Sequence, residues 1–275
     1  MIILIGGGGF VGSGFARYLA SRDIPFVSVD RANYDACIGM ECDVLINANG
    51  NSKKFLARDD PKSEFQASVA SVRNSLADFK FRKYVFLSTS DVYPDCSDPT
   101  LTSEAQPLPV AGQSPYGFHK HLAELCVRHA AREWLIIRQG GFVGQGMKKN
   151  AIFDVLHGDR LWVHPDSRFQ FIDTEDSARL IMGLVEGGIT NEVFNLSGMG
   201  TIPVREIMRL AGRSVPVVPD AAVVHCEVML ERISRYCSIP GTVETVRAFL
   251  SVERDRVSAP PGSAALVKKQ GGFDE

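Results

Sequence analysis

A chain of 275 residues, 45% of them hydrophobic, is long enough to bury a full core as one α/β unit or as a domain with a small annex. Its net charge of −2 leaves no basic footprint for nucleic acid, and no apolar run approaches the roughly 18 residues of a membrane span. The opening "MIILI" lacks a cationic flank, so a strand is expected there and not a signal peptide. The six cysteines contain no Cys-x-x-Cys pair and are expected to be reduced thiols in a cytoplasmic protein. Cys37 and Cys42 are close in sequence, but no second pair completes a metal site, and no metal is expected.

The first strand, 2–5, runs into "GGGGFVG", where Gly6, Gly9 and Gly12 fit a strand-to-helix phosphate turn. The first glycine makes the turn, the middle one lets backbone approach a pyrophosphate, and the last permits close helix–strand packing. The helix that follows, from Phe10 to about Ala20, presents its amino end, with Phe10 and Val11, to the phosphates. A second strand at 26–29 ends in Asp30, a carboxylate placed to accept hydrogen bonds from the adenosine ribose and to repel a 2′-phosphate. Arg31 beside it could hold such a phosphate, so NAD is expected and NADP stays open.

Only a dozen residues separate Asp30 from "DVLINANG", too few for a regular crossover, so one βα unit is truncated here. Strands at 43–47, 84–88 and 134–138 then alternate with helices near 62–79 and 114–132, which predicts a parallel, doubly wound, Rossmann-like sheet. After Arg138 the pattern is irregular. "GGFVGQGMKKN" reads as a loop, 150–158 as a helix, "LWV" and "FQFID" as short strands, and 174–186 and 203–212 as helices. The expected division is a dinucleotide-binding domain over 1–140 with returning segments near 170–197, a small C-terminal substrate lobe over most of 141–255, and a mobile tail over 256–275, rich in Pro, Gly and Ser.

Two stretches add chemistry. "YVFLSTSDVY" sets Ser88, Thr89 and Ser90 at the carboxyl end of a strand, where doubly wound folds place ligands. "SPYGFHK" sets Tyr116 and Lys120 one helical turn apart on one face. An ammonium near a phenol favours the phenolate, so Tyr116 could exchange a proton with a hydroxyl or ketone oxygen that Thr89 also binds. His119 lies on another helical face, and it and His121 are read as surface or packing residues. The acids Asp173, Glu175 and Asp176 are read as complementing a helix dipole and not as metal ligands.

"IGGGGFVG", "DVLINANG", "KYVFLSTSDVYPD", "SPYGFHK", "LIIRQGGFVGQG", "FQFIDTEDSARLI" and "NEVFNLSG", in this order, resemble the extended short-chain dehydrogenases/reductases of the nucleotide-sugar epimerase/dehydratase group over most of residues 1–250. The resemblance implies Thr89, Tyr116 and Lys120 as catalytic residues, with Lys120 also on the nicotinamide ribose, and Asn47 and Ala48 as further cofactor contacts. It implies a sugar nucleotide as substrate and dimerisation through the helices at 62–79 and 114–132. Dehydratases of the group carry an Asp-Glu pair where this chain has Ser90 and Asp91, which disfavours dehydration and leaves a 4-epimerase or a ketoreductase. The group's usual Asn positions fall at Ser68 and Gly141. A nucleotide-sensing protein of the same fold, binding NAD(P) without turnover, is the alternative from another class.

Overall fold

A computed structural model of the chain describes residues 1–51 and 53–258. The first half alternates strand and helix: β1 (Ile2–Ile5), α1 (Phe10–Ser21), β2 (Phe26–Val29), the one-turn α2 (Tyr34–Cys37), β3 (Glu41–Asn47), short helices α3 (Leu56–Asp59) and α4 (Pro61–Phe65), a π-helical stretch (Gln66–Ala70), α5 (Ser71–Asp78), β4 (Lys80–Thr89), α6 (Pro115–Ala130) and β5 (Glu133–Gln139). Then follow β6 (Gly141–Val143), α7 (Ala151–His157), β7 (Arg168–Phe169), β8 (Phe171–Asp173), α8 (Thr174–Glu186), β9 (Glu192–Leu196), β10 (Ile202–Pro203), α9 (Val204–Ala211), β11 (His225–Cys226) and α10 (Thr242–Ser258).

The main sheet is six-stranded and parallel, in the order β2-β1-β3-β4-β5-β9. β1 is paired on both sides and covered on both faces, so all four of its residues are buried and apolar. Alternate residues feed two cores. Leu4, Ile46, Val85 and Ile137 pack with Phe15 of α1 and Ile181 of α8. Ile3, Leu45, Phe86 and Ile136 pack with Val72 of α5 and Val127 of α6. The short link after Asp30 holds only α2, and β3 pairs with the opposite side of β1 from β2. The strand order therefore reverses between β1 and β3, and in open α/β sheets ligands lie at that switch point, beyond the carboxyl ends of the strands.

Beyond β5 the chain builds a two-stranded sheet, β6-β8, and a three-stranded one, β10-β7-β11, around a third core that joins Ile152 of α7, Ile207 of α9 and Leu250 of α10. Here the structure departs from the sequence reading. "GGFVGQGMKKN" is not all loop, because Gly141–Val143 pairs in parallel with β8. A Cβ on Gly141 would lie 2.6 Å from Gln170 O, so this close approach rests on glycine. "LWV" is not a strand: Leu161 makes one isolated bridge, to Val217. "FQFID" divides at Gln170 between two sheets. The helix near 62–79 carries the π-helical stretch in its middle. Helix α10 had no sequence expectation. It ends at Ser258, and the remainder of the expected tail, 259–275, lies outside the described residues.

The expectation of six reduced cysteines is also corrected. Cys96 and Cys226 form a disulfide across 130 residues of sequence, with Cα atoms 4.7 Å apart, while Cys37, Cys42, Cys126 and Cys237 are free. Local spacing carries no trace of this pair, because the fold alone brings β11 beside the segment after β4: Glu227 N donates to Cys96 O at 2.8 Å. No described helix is long and apolar enough to cross a membrane.

Candidate functional site

A cleft of about 620 Å³ opens at the carboxyl ends of β1, β2 and β3, lined by Gly6, Gly8, Gly9, Asp30, Arg31 and Asn49 among others. The glycines divide the work unevenly. Gly6 has φ +81°, and a Cβ there would press on the Asn49 backbone at 3.0 Å. A Cβ on Gly12 would lie 2.1 Å from Gly6 O, so Gly12 serves the packing of α1 against the turn. Gly8 meets nothing within 4 Å and Gly9 only Gly6 O at 3.2 Å, which leaves bare backbone facing the cleft. Gly9 stands at the N-cap of α1 with no side chain capping that end. First-turn N–H groups of a helix need partners, and an anion can supply them.

The other expected dinucleotide contacts are placed as follows. Asp30 lies exposed at the cleft edge, where one carboxylate oxygen accepts from Ala32 N at 2.8 Å. Phe10 is edge-on to Phe142, ring centroids 6.4 Å apart, which ties the turn to β6. Val11 packs on the core beside α1. Ala48 lines the cleft. Asn47 does not: it is buried, its amide donating to Tyr84 Oη (2.7 Å) and Ser75 Oγ (3.2 Å) and its carbonyl accepting from Asn49 N (2.9 Å). Its work is to shape the turn that carries Ala48 and Asn49. Tyr34, not foreseen from the sequence, lines the cleft and donates to Asp78 Oδ2 at 2.9 Å.

Beside this cleft the end of β4 meets the start of α6. Ser114 caps α6 by accepting from Gly117 N, and Pro115 occupies the first turn, where its missing N–H costs nothing. A Cβ on Gly117 would lie 1.9 Å from Asp91 O, so α6 is seated directly on the turn after β4. Lys120 is buried, donates to Leu87 O at 2.8 Å and stands 4.2 Å from the centre of the Phe86 ring. Gly50 of the cleft lining faces it, a Cβ there lying 3.7 Å from Lys120 Nζ. Burial pushes the Lys120 ammonium down to about 8, and the charges of Glu124 and Glu64 act against that fall.

Thr89 Oγ1 donates to Asp91 Oδ2 at 2.6 Å, and the same oxygen pairs with Lys54 Nζ at 2.5 Å. Lys54 Nζ in turn lies 5.9 Å from the centre of the Tyr116 ring. Lys120 thus faces the cleft lining across Gly50, while Thr89 and Tyr116 are connected to each other through Asp91 and Lys54. Burial first, then the charges of Asp91 and Glu64, hold the Tyr116 phenol well above its ordinary value, so it is protonated here.

Behind the site runs a buried polar chain. Glu124 accepts from Ser88 Oγ (2.6 Å) and from Arg138 Nε and Nη2 (3.1 and 2.8 Å). Arg138 Nη1 donates to Tyr93 Oη (2.9 Å), which donates to Asn195 Oδ1 (2.8 Å). Burial disfavours the Arg138 charge, but the hydrogen bonds and charge of Glu124 more than reverse this and hold it firmly protonated.

The residues set aside from the sequence divide. Asp173 caps α8 by accepting from Glu175 N at 2.7 Å, Glu175 pairs with Arg17 of α1, and Asp176 pairs with Arg179 at 2.7 Å. Each acid has a structural partner, as a helix start allows. Of the two roles expected for His119, surface or packing, the structure gives the second. His119 is buried and bonded through Nδ1 to the buried Glu64. Glu64, Lys54 and Tyr34 are the members of the site that the sequence reading missed. Charge at a helix start or in a polar loop carries no local sign of what it will face.

Fold and site together define a doubly wound α/β protein with a glycine-lined cleft at the carboxyl ends of its first strands, beside which the end of β4 meets the start of α6. The chain belongs to the NAD dependent epimerase/dehydratase family, which matches residues 38–197. Comparison with curated protein sequences gives no match. Among solved structures it is similar to a UDP-galactose 4-epimerase, at 18% identity over 93% of this chain and 99% of that one, with a TM-score of 0.79. It is similar to MoeE5 in complex with UDP-glucose and NAD, at 15% identity over 93% and 99%, TM-score 0.78. RMD from Pseudomonas aeruginosa complexed with NADPH shares 21% identity over 91% and 98%, TM-score 0.73. Likeness at these identities establishes the fold, and function has to be argued from the site.

Proposed function

We propose that the protein is an NAD(P)-dependent oxidoreductase or epimerase that acts at a hydroxyl or ketone carbon of a sugar nucleotide. The observation that supports this is that Lys120 faces the lining of the glycine-turn cleft across Gly50, one helical turn from Tyr116, whose ring is linked through Lys54 and Asp91 to Thr89. The cleft fits a dinucleotide on its own features: the uncapped α1 terminus, the bare backbone at Gly8 and Gly9, and the Asp30 carboxylate at its rim. A bound nicotinamide would supply hydride exchange at the reacting carbon. Thr89 Oγ1 would bind the substrate oxygen and Tyr116 would exchange its proton there. The protonated phenol is the form that donates to a ketone oxygen. Lys120, as an ammonium, would hold the nicotinamide ribose and favour charge developing on Tyr116. Asp91 stands by itself at this point, paired to Lys54, which agrees poorly with an elimination needing an acid and a base.

The test is a panel of UDP- and dTDP-sugars and their 4-keto forms with each of NAD, NADH, NADP and NADPH, read by nicotinamide absorbance and product analysis. Turnover supports the reading. A cofactor retained through purification and regenerated each cycle identifies an epimerase, and net consumption a reductase. Tight nicotinamide binding without turnover of any sugar nucleotide would place the protein among nucleotide-sensing proteins instead.

Asp30 sets the cofactor preference in this reading. In Asp30→Ala the charge-assisted bonds to the adenosine ribose, worth about 1.5–3 kcal/mol, are lost. NAD affinity is expected to fall by roughly tenfold or more, and NADP affinity to hold or rise as Arg31 approaches the 2′-phosphate. Dissociation constants for both cofactors in both proteins check this. A wild type that already prefers NADP would show that Arg31 governs the pocket.

A further inference from the structure

Between the turn that carries Thr89 and the cap of α6 at Ser114, residues 94–113 form a loop with two 3₁₀ turns, Pro99–Thr102 and Val110–Gly112, and no strand or α-helix. Loops longer than about 12–15 residues without such elements are uncommon in compact domains and are usually functional. The base of this one is pinned. Gln113 Nε2 donates to Val92 O at 2.6 Å, and a Cβ on Gly112 would lie 3.0 Å from Pro94 Cβ. From Thr102 onward the loop is held again. Thr102 Oγ1 accepts from Met229 N (2.8 Å), Thr102 O from Asn195 Nδ2 (2.7 Å) and Glu104 Oε1 from Asn195 N (2.8 Å).

The stretch between these anchors is different. Asp95 Oδ1 accepts from Ser97 N and Asp98 Oδ1 from Thr100 N, each at 2.8 Å, and neither bond leaves the loop. Pro94, Asp95, Ser97 and Asp98 are exposed. Among the described residues, the bonds from this stretch to the C-terminal lobe are at Cys96: the disulfide to Cys226, and Glu227 N donating to Cys96 O. The other end of the disulfide is well seated. β11 pairs with β7, and Val228, two residues on, is buried and shares two hydrogen bonds with Gln170. Both bonded cysteines are only half-buried, and thiol–disulfide exchange depends on access to a sulfur.

We propose that Cys96–Cys226 is a redox modification site: a latch that a dithiol opens to free residues 95–101 while the fold and the glycine-turn cleft persist. A thiolate of the reductant attacks one sulfur and forms a mixed disulfide, and the cysteine released takes a proton. The reductant's second thiol then closes its own disulfide and releases the other cysteine, so both of its protons end on the two thiols. A small disulfide reverses the step. The loop leads from the turn of Thr89 to the helix of Tyr116, so its freedom acts on the substrate side of the site. That effect on turnover rests on the proposed reaction, and the latch itself does not.

The experiment treats the full chain with dithiothreitol at neutral pH without denaturant, then alkylates with N-ethylmaleimide and locates the label by mass spectrometry. Cys96 and Cys226 should both be labelled in protein that keeps its circular dichroism. Amide exchange over 95–101 should be roughly tenfold faster or more in the reduced chain, because losing a cross-link returns entropy to the open loop. Exchange in β7, β11 and the glycine turn should not change. Oxidised glutathione should restore the first pattern, and Cys96→Ser with Cys226→Ser should match the reduced chain and ignore both reagents. Should that variant fail to fold, the wild type in its two redox states still decides. A bond that opens only in denaturant, a reduced chain that unfolds throughout, or unchanged exchange over 95–101 makes the disulfide a structural staple and overturns the proposal. On the best substrate of the sugar-nucleotide panel, reduction should raise KM, and equal KM in both states overturns the link to the site. Absence of all turnover would count against the proposed reaction alone, since the exchange experiment stands without it.

Discussion

Tyr116→Phe is expected to abolish turnover, by about 10²–10⁴-fold or more, while leaving cofactor affinity close to wild type. The phenol is half-buried at the start of α6, and its ring, which the substitution keeps, makes the packing contacts. What is lost is the one proton that burial, Asp91 and Glu64 hold on the oxygen. Steady-state kinetics on the best substrate of the sugar-nucleotide panel, beside a cofactor titration, separates the two effects. A lowered affinity with unchanged turnover would mean that the hydroxyl binds and does not transfer, and the assignment of Thr89 and Lys120 would have to be argued afresh.

The second large effect concerns stability. Glu124→Ala is expected to cost about 3–5 kcal/mol, because it leaves the Arg138 guanidinium buried without its counter-charge. Glu124 and Arg138 are 1% and 2% exposed, and their three polar contacts span α6, β4 and β5. Urea denaturation at neutral pH measures the loss. Replacing both partners, as Glu124→Leu with Arg138→Met, should recover most of it, since a well-packed apolar pair can substitute for a buried ion pair. A loss below about 1 kcal/mol in the single variant, the size of an ordinary substitution, would show that water reaches Arg138. Because Ser88 and Lys120 share this region, the same variant should also lower the midpoint at which Lys120 titrates.

The parts of the fold legible in the sequence are those where the signal is local. The strands expected at 2–5 and 26–29 are Ile2–Ile5 and Phe26–Val29, because an unbroken apolar run ends at the glycine turn in the first and a largely apolar one, broken only by Ser28, ends at Asp30 in the second. The helix expected at 174–186 is Thr174–Glu186, since Asp173 caps it and acids fill its first turn. The truncated link after Asp30 was a matter of chain length, and it holds only the one-turn α2.

What escaped is set by distance along the chain. β6 pairs with β8 across some thirty residues, and three-residue strands carry too few alternations to show a period. Glu64 and His119 are 55 positions apart, so the helical-face argument that dismissed His119 was sound about Tyr116 and Lys120 and silent about what α4 brings to the opposite side. Asn47 shows the converse. Its motif pointed to the cleft, but its buried amide is taken by Ser75 and Tyr84, and the backbone that it shapes does the lining. The glycine turn and Asp30 line the cleft because strand ends dictate their place directly.

The bond between Cys96 and Cys226 changes the covalent map of the molecule. It closes the chain into a ring with two free arms, and Tyr116 and Lys120 are on the ring while Gly6, Gly9 and Asp30 are on the amino-terminal arm. A single backbone cut anywhere between Cys96 and Cys226 opens the ring without dividing the molecule. After such a cut the glycine turn and the Tyr116 helix stay in one covalent piece for as long as the two sulfurs are joined, and reduction then separates them where the cut falls between Cys96 and α6.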